Sequence, residues 1–264
     1  VMNFDGAKGY LIGPENRGLQ CMFTFMNVAR IGTAVQGLTA AEYAFQGSLT
    51  YAKDRLAMRS LSGAKAPEKV ADPIIVHPAV RNMLLTEKAF AEGGRALIYY
   101  CAQLVDKAHL TADNDARQEA ETQLAFLTPI AKAFLTETGF ESANLGMQIF
   151  GGHGYIREWG MEQIVRDTRI ALLYEGTTQI QALMAMKDLM KFEMRSPANY
   201  FTALVNANPV ANFVGASSEC EHLFNGALYV FKKNFVKLLI KTLKPATDTD
   251  NPVELRKFFN AKEW

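Results

Sequence analysis

One carboxylate, one arginine and one glycine turn are the residues of this sequence whose types and spacing could do chemistry. Glu175 lies in Tyr174-Glu175-Gly176-Thr177-Thr178-Gln179-Ile180-Gln181, between the apolar run Ala171-Leu172-Leu173 and a set of Thr and Gln donors. A carboxylate just ahead of a helix is favoured by the helix dipole, and that reading asks nothing of function. The same apolar neighbours could instead desolvate Glu175 and raise its pKa toward the range a general base needs. Arg30 ends Phe25-Met26-Asn27-Val28-Ala29-Arg30, so its charge is either paired or snorkels to water. Gly151-Gly152-His153-Gly154-Tyr155 can turn backbone N–H groups toward a phosphate. A helix C-cap uses the same residues, and no strand precedes them as a dinucleotide fingerprint requires.

These groups must be positioned by helices. Met22, Phe25, Met26 and Ala29 recur at i, i+3, i+4 and i+7, and Ile31, Val35 and Leu38 continue the stripe, which predicts one long helix from Asn16 to near Gly63. Pro67, Pro73 and Pro78 mark a loop, with Pro78 suited to the first turn of the next helix. That helix runs from about Ala79 to Leu110, with Leu97, Tyr100, Cys101 and Leu104 on one face and Gly93 and Gly94 weakening its middle. A third follows the turn at 111–114 and carries Leu124, Leu127, Ala131, Phe134, Leu135 and Thr138. The segment from Thr177 to Met190 supplies a fourth apolar face, so face matching predicts a four-helix arrangement. Further helices are expected at about Tyr200–Leu204 and Ser217–Leu243, then a loop and a short last helix. The opening residues, apolar and punctuated by glycine, suggest strand and turn, and read as the end of a preceding part of a longer polypeptide.

Composition narrows the class. With 28 Lys and Arg against 27 Asp and Glu, the net charge of +1 gives no general bias toward nucleic acid or anionic membrane. Lys233, Lys237, Lys241 and Lys244 do line one helical face opposite Phe231, Phe235, Leu238 and Leu239, a pattern that suits either a solvated face or a membrane surface. Cys21, Cys101 and Cys220 are far apart and have no histidine at metal-ligand spacing, which predicts a reduced, intracellular setting and no metal site. No apolar run approaches the ~20 residues that span a bilayer, so a soluble protein is expected. His77, His109 and His222 stand alone in sequence.

Three segments in order resemble the carboxy-terminal domain of the acyl-CoA dehydrogenases: the Arg30 helix with Tyr51-Ala52-Lys53-Asp54-Arg55, then Met147-Gln148-Ile149-Phe150-Gly151-Gly152-His153-Gly154-Tyr155, then Arg166-Asp167-Thr168-Arg169-Ile170 through Gln181. The resemblance covers residues 1 to about 190. It implies an all-α fold: a four-helix up-and-down bundle over residues 16–192, preceded by a remnant β-strand near Ala7–Ile12 in residues 1–15. Extra helices would occupy residues 193–264. In this family the Glu of the Tyr-Glu-Gly-Thr motif removes the α-proton of an acyl-CoA thioester while hydride leaves the β-carbon for the N5 of FAD, forming a trans-2-enoyl-CoA. That role falls on Glu175, with Arg30 beside it and Tyr174 and Gly176 against the substrate. Some members carry the base immediately before the arginine, and here that position is Ala29, which accepts no proton.

For the cofactor, the resemblance assigns Arg55, Gln148, Gly151 and Gly152 to the FAD of a neighbouring subunit, and Thr177 and Gln179 to the chain's own site. A homodimer or homotetramer follows, with an electron-transferring flavoprotein as redox partner and the bacterial cytoplasm or mitochondrial matrix as location. The stretch after Arg55, Leu56-Ala57-Met58-Arg59-Ser60-Leu61-Ser62-Gly63, departs from the family's usual Lys-x-Phe-Gly and leads into an inserted loop. With the region after residue 190, it resembles the long-chain and 3-methylmercaptopropionyl-CoA dehydrogenase subgroup. Two alternatives stand beside this one: an acyl-CoA oxidase of similar architecture, and a non-catalytic DNA-binding relative using the Lys233–Lys244 face.

Overall fold

Helices α1 (Gly18–Asp54), α2 (Pro78–Leu110), α3 (Asn114–Phe150), α4 (Met161–Arg169) and α5 (Thr178–Arg195) make up most of the structure, a computed structural model that describes residues 2–195. The four long ones form the up-and-down bundle, and α4 is a short insertion that the sequence reading did not anticipate. The helices and the lysine face expected beyond residue 195 lie outside the described residues.

Local chemistry sets the boundaries. Pro78 opens α2, where its missing N–H costs no hydrogen bond. Asp113 caps α3 by accepting from the Asp115 amide at 3.0 Å. α1 ends at Asp54 rather than near Gly63, because a buried carboxylate takes over the amides a longer helix would have used. Asp72 accepts from the backbone N–H groups of Ser60, Lys65 and Ala66 at 2.8–2.9 Å and from Arg59 at 3.2 Å. Those donors, the Ser60 amide foremost, hold the Asp72 carboxyl far below the usual carboxylate range. The loop also pairs Leu56 with Pro73 in one isolated antiparallel bridge.

No strand forms at residues 7–12. A strand is stable only when its N–H and C=O groups meet a partner ladder, and no described residue offers one. Tyr10 and Ile12 are each 89% exposed, and the segment's one backbone bond is a turn from Ala7 N–H to Phe4 O.

The register of the bundle is visible in cross-helix pairs. Ser48 meets Glu87, and Glu42 meets Arg95, so α1 and α2 are antiparallel. Gly37 lies on Leu135, and Ser48 and Ala44 face Gly146, so α1 and α3 run in the same direction. Their backbones touch: a Cβ at Gly37 would sit 2.1 Å from the Leu135 carbonyl oxygen, and one at Gly139 2.3 Å from that of Gly37. Any side chain at either position would force the helices apart. Gly93 and Gly94 leave α2 unbroken, since Gly94 packs tightly on Leu135. Ala34, Ile98, Cys101, Leu104, Leu124 and Leu135 form the main core. Each fully buried large apolar side chain there contributes roughly 1.5–3 kcal/mol. A second cluster of Ala52, Ile74, Leu84 and Ile149 anchors the 55–76 loop to the other end of the bundle. Tyr100 and Phe134, expected on the apolar faces, are each 46% exposed.

Glu87 is fully buried between α1 and α2, with one oxygen accepting from Ser48 at 3.3 Å. Burial pushes its carboxyl up to about 8. The folded chain therefore keeps a proton that the unfolded chain releases near pH 4.5, so stability falls as pH rises from there to about 8 and is flat above. Glu87→Gln should remove that slope and raise the melting temperature at pH 9, by roughly 2–4 °C per kcal/mol recovered. Thermal unfolding between pH 5 and 9 checks it, and an unchanged slope would contradict the assignment.

Candidate active site

Glu175 sits in the turn between α4 and α5, where residues 174–176 meet Arg30 and Gln36 of α1 and Lys132 of α3. It adopts φ +57°, in the left-handed region that non-glycine residues rarely occupy, and Gly176 follows at φ +93°. Such a conformation persists only when its surroundings over-determine it. Three helices do so.

From α5, Gln181 Nε2 donates to the Glu175 carbonyl oxygen at 2.9 Å and to that of Gly176 at 3.4 Å. From α1, Arg30 Nε donates to the Glu175 carbonyl at 3.4 Å. From α3, Lys132 Nζ donates to the Gly176 carbonyl at 2.7 Å. Lys132 and Gln181 are completely buried and Arg30 is 4% exposed, so bonds that would be weak in water act here with little competition.

The charges are arranged around the same turn. Burial lowers the pKa of Arg30, and the Glu175 carboxylate opposes that shift. Burial also lowers that of Lys132, with Arg30 adding to the effect and Glu137 and Glu175 opposing it. One Glu175 oxygen, Oε2, is buried and has no hydrogen-bond partner among the described residues. A buried acceptor left open inside an otherwise donor-rich turn is placed to take a proton from something that enters the site.

Around this centre, Thr177 caps α5 by accepting from the Ile180 amide at 3.4 Å, and Thr178 donates to Glu137 at 2.6 Å. The Tyr174 hydroxyl donates to Gln36 on α1. Gln179 points outward, exposed. Of the apolar run expected to desolvate Glu175, Ala171 and Leu172 are buried but Leu173 is 53% exposed. Donors from α1, α3 and α5 hold the half-buried turn instead.

Arg55, Gln148, Gly151 and Gly152 lie elsewhere. Arg55 follows α1 directly and lies 25 positions after Arg30, roughly 37 Å along the helix at about 1.5 Å per residue. It lines a cleft of about 630 Å³ with Tyr51, Phe150, His153 and Trp159. Tyr51 stacks on Phe150 at 4.1 Å and meets His153 Nδ1 through its hydroxyl at 3.0 Å, while His153 stacks on Trp159 at 4.8 Å. Gly151, at φ +60°, ends α3, so the glycine turn does act as a helix cap. Gln148, Gly151 and Gly152 are solvent-exposed and flank in sequence the cleft residues Phe150 and His153. A guanidinium next to flat aromatic faces suits a phosphate joined to a planar base, so the residues present fit the pyrophosphate and adenine end of a dinucleotide.

Sequence reading brought Arg30, Glu175 and Gly176 together but missed Lys132, Gln36, Glu137 and the part played by Gln181. Thr128, Lys132 and Thr136 recur at i+4 spacing and are all fully buried. A lysine in the middle of such a stripe was the one available signal.

The model of the acyl-CoA dehydrogenase C-terminal domain matches residues 16–190. The chain is 48% identical over 182 residues to the 3-methylmercaptopropionyl-CoA dehydrogenase of Ruegeria pomeroyi, covering 69% of this chain and 30% of that protein. It is 33% identical over 180 residues to a broad-specificity linear acyl-CoA dehydrogenase of Mycobacterium tuberculosis, covering 67% of this chain and 29% of that one. Butyryl-CoA dehydrogenase from Megasphaera elsdenii shares the fold, with a TM-score of 0.54 at 24% identity over 67% of this chain and 40% of that chain. The chain thus spans about 30% of the length of these two curated relatives.

At Gly176 a Cβ would lie 2.4 Å from Gln181 Nε2, and φ is unfavourable for any L side chain. Gly176→Ala should therefore destabilise the protein by about 1–3 kcal/mol, read from denaturant unfolding. Wild-type stability would show that the turn is not held as described.

Proposed function

The chain belongs to the acyl-CoA dehydrogenase family through its C-terminal domain, and on that premise we propose that it carries the catalytic base for FAD-dependent dehydrogenation of an acyl-CoA to a trans-2-enoyl-CoA. The observation that carries the reading is Glu175 Oε2: buried, without a partner among the described residues, and rigidly presented by its turn. The activity would belong to the longer protein of which this length of chain forms a part.

Glu175 takes the α-proton of the thioester and becomes a neutral carboxylic acid. Arg30 places a positive charge beside the carboxylate, and the open oxygen, being buried, meets the substrate with little competition from water. Negative charge then develops on the thioester oxygen. The amide N–H of Glu175 donates to no acceptor among the described residues, so it is free to meet that oxygen as a preorganised dipole. FAD, when bound, supplies at its N5 the acceptor for the hydride that leaves the β-carbon. Thr177 and Gln179 would face the cofactor of the chain's own site, although the Thr177 hydroxyl is already engaged as the α5 cap. Tyr174 and Gly176 would lie against the substrate.

Arg55, Gln148, Gly151 and Gly152 would hold a second FAD at its pyrophosphate and adenine end. The length of α1 between Arg30 and Arg55 exceeds the reach of one dinucleotide, which supports a cofactor shared between subunits and hence a homodimer or homotetramer. Electrons would pass on to an electron-transferring flavoprotein. No helix among the described residues is long and apolar enough to cross a membrane. The domain limits fitting this reading are a bundle over residues 16–192 with a separate extension from 193.

In the full-length flavoprotein, Glu175→Gln should leave FAD bound but slow anaerobic bleaching of its visible absorption by acyl-CoA by about 10²–10⁴-fold, the usual worth of a positioned general base. Bleaching at the wild-type rate would remove Glu175 from the role.

A further inference from the structure

We propose that Lys132 is a positioning residue for the Glu175 base: by donating from Nζ to the Gly176 carbonyl oxygen it fixes the orientation of the turn that aims the carboxylate. The inference rests on the reading of Glu175 given above.

Packing does not call for a lysine at this place. The side chain is fully buried on the α3 face that meets α1 and the turn, and an apolar chain of similar length would fill the same volume without desolvating a cation. What only the ammonium does is donate, and its 2.7 Å bond is the shortest of those made to the two turn carbonyls. Gly176 is otherwise the most permissive point of the turn, because a glycine near φ +93° can rotate away at little steric cost. A rotation of the peptide that follows Gly176 would undo one of the two anchored carbonyls through which the turn presenting Glu175 is held. With both carbonyls drawn inward, the N–H groups of Gly176 and Thr177 face the opposite way, and the Cα–Cβ direction of Glu175 is set.

The electrostatics agree with the geometry. The charged groups that act on Lys132 are Arg30 from α1, Glu137 from its own helix and Glu175 from the turn, while α5 presents the neutral Gln181. Lys132 thus sets a positive charge beside the carboxylate whose turn it holds.

The test uses the full-length flavoprotein and a thioester analogue without a β-hydrogen, whose α-hydrogen exchange into deuterated water reports the base alone. Mass spectrometry follows the exchange. Lys132→Met should keep FAD bound and the fold intact by circular dichroism, and slow exchange about 100-fold. In Lys132→Ala, added propylammonium should restore exchange at least in part, whereas tetramethylammonium, which has no N–H to donate, should not. Exchange at the wild-type rate in Lys132→Met would overturn the proposal, as would a loss in Lys132→Ala that propylammonium fails to relieve. Glu175→Gln measured alongside separates the two readings: exchange that persists there removes the base itself, whatever Lys132 does.

Discussion

The grip of three buried side-chain donors on two adjacent peptide carbonyls is the interaction on which the rest of this structure depends. Arg30, Lys132 and Gln181 come from three different helices, and each must arrive within hydrogen-bond reach of residues 175 and 176. That convergence is possible because α1 and α3 approach until their backbones meet at Gly37 and Gly139. A looser crossing would leave the arginine and the lysine too far from one turn to hold it together. The bundle is thus less a container for the site than the device that sets its dimensions.

Holding a turn this way has a cost that shows in the ionisation of the donors. Arg30 and Lys132 both bear lowered pKa values from burial, and each is partly compensated by Glu175. Two buried cations thus stand beside the one carboxylate that the turn presents. The opposite end of the bundle works on other principles. There, Asp72 gathers loop amides and the Arg59 guanidinium, and the ordered loop presents Arg55 to a cleft walled by Tyr51, Phe150 and His153.

The legible parts of the sequence were those with a local signature. Apolar residues at helical spacing located α1, α2, α3 and α5, Pro78 marked the start of α2, and the order of the motifs pointed to Glu175 and Arg30. What could not be read were contacts between residues far apart in the chain. Lys132 and Gly176 are separated by 44 positions, and nothing near either names the other. Asp72 ends α1 early by satisfying amides up to twelve residues away, which no propensity at Gly63 reveals. The strand expected at residues 7–12 had the right composition but no ladder partner, and α4, short and polar, carried too few apolar residues to announce itself. Gln181 was visible as part of a motif, yet its use as a donor to Glu175 depends on the left-handed turn before it.

Glu175 is the point where these constraints meet, and the most direct measurement is a crystal structure of the full-length flavoprotein with an unreactive acyl-CoA thioester in its site. The account predicts Glu175 Oε2 within about 3–3.5 Å of the α-carbon, the separation of a near-attack arrangement, with the turn carbonyls still held by Lys132 and Gln181. A different carboxylate at the α-carbon, or a turn released from those donors in the complex, would contradict it.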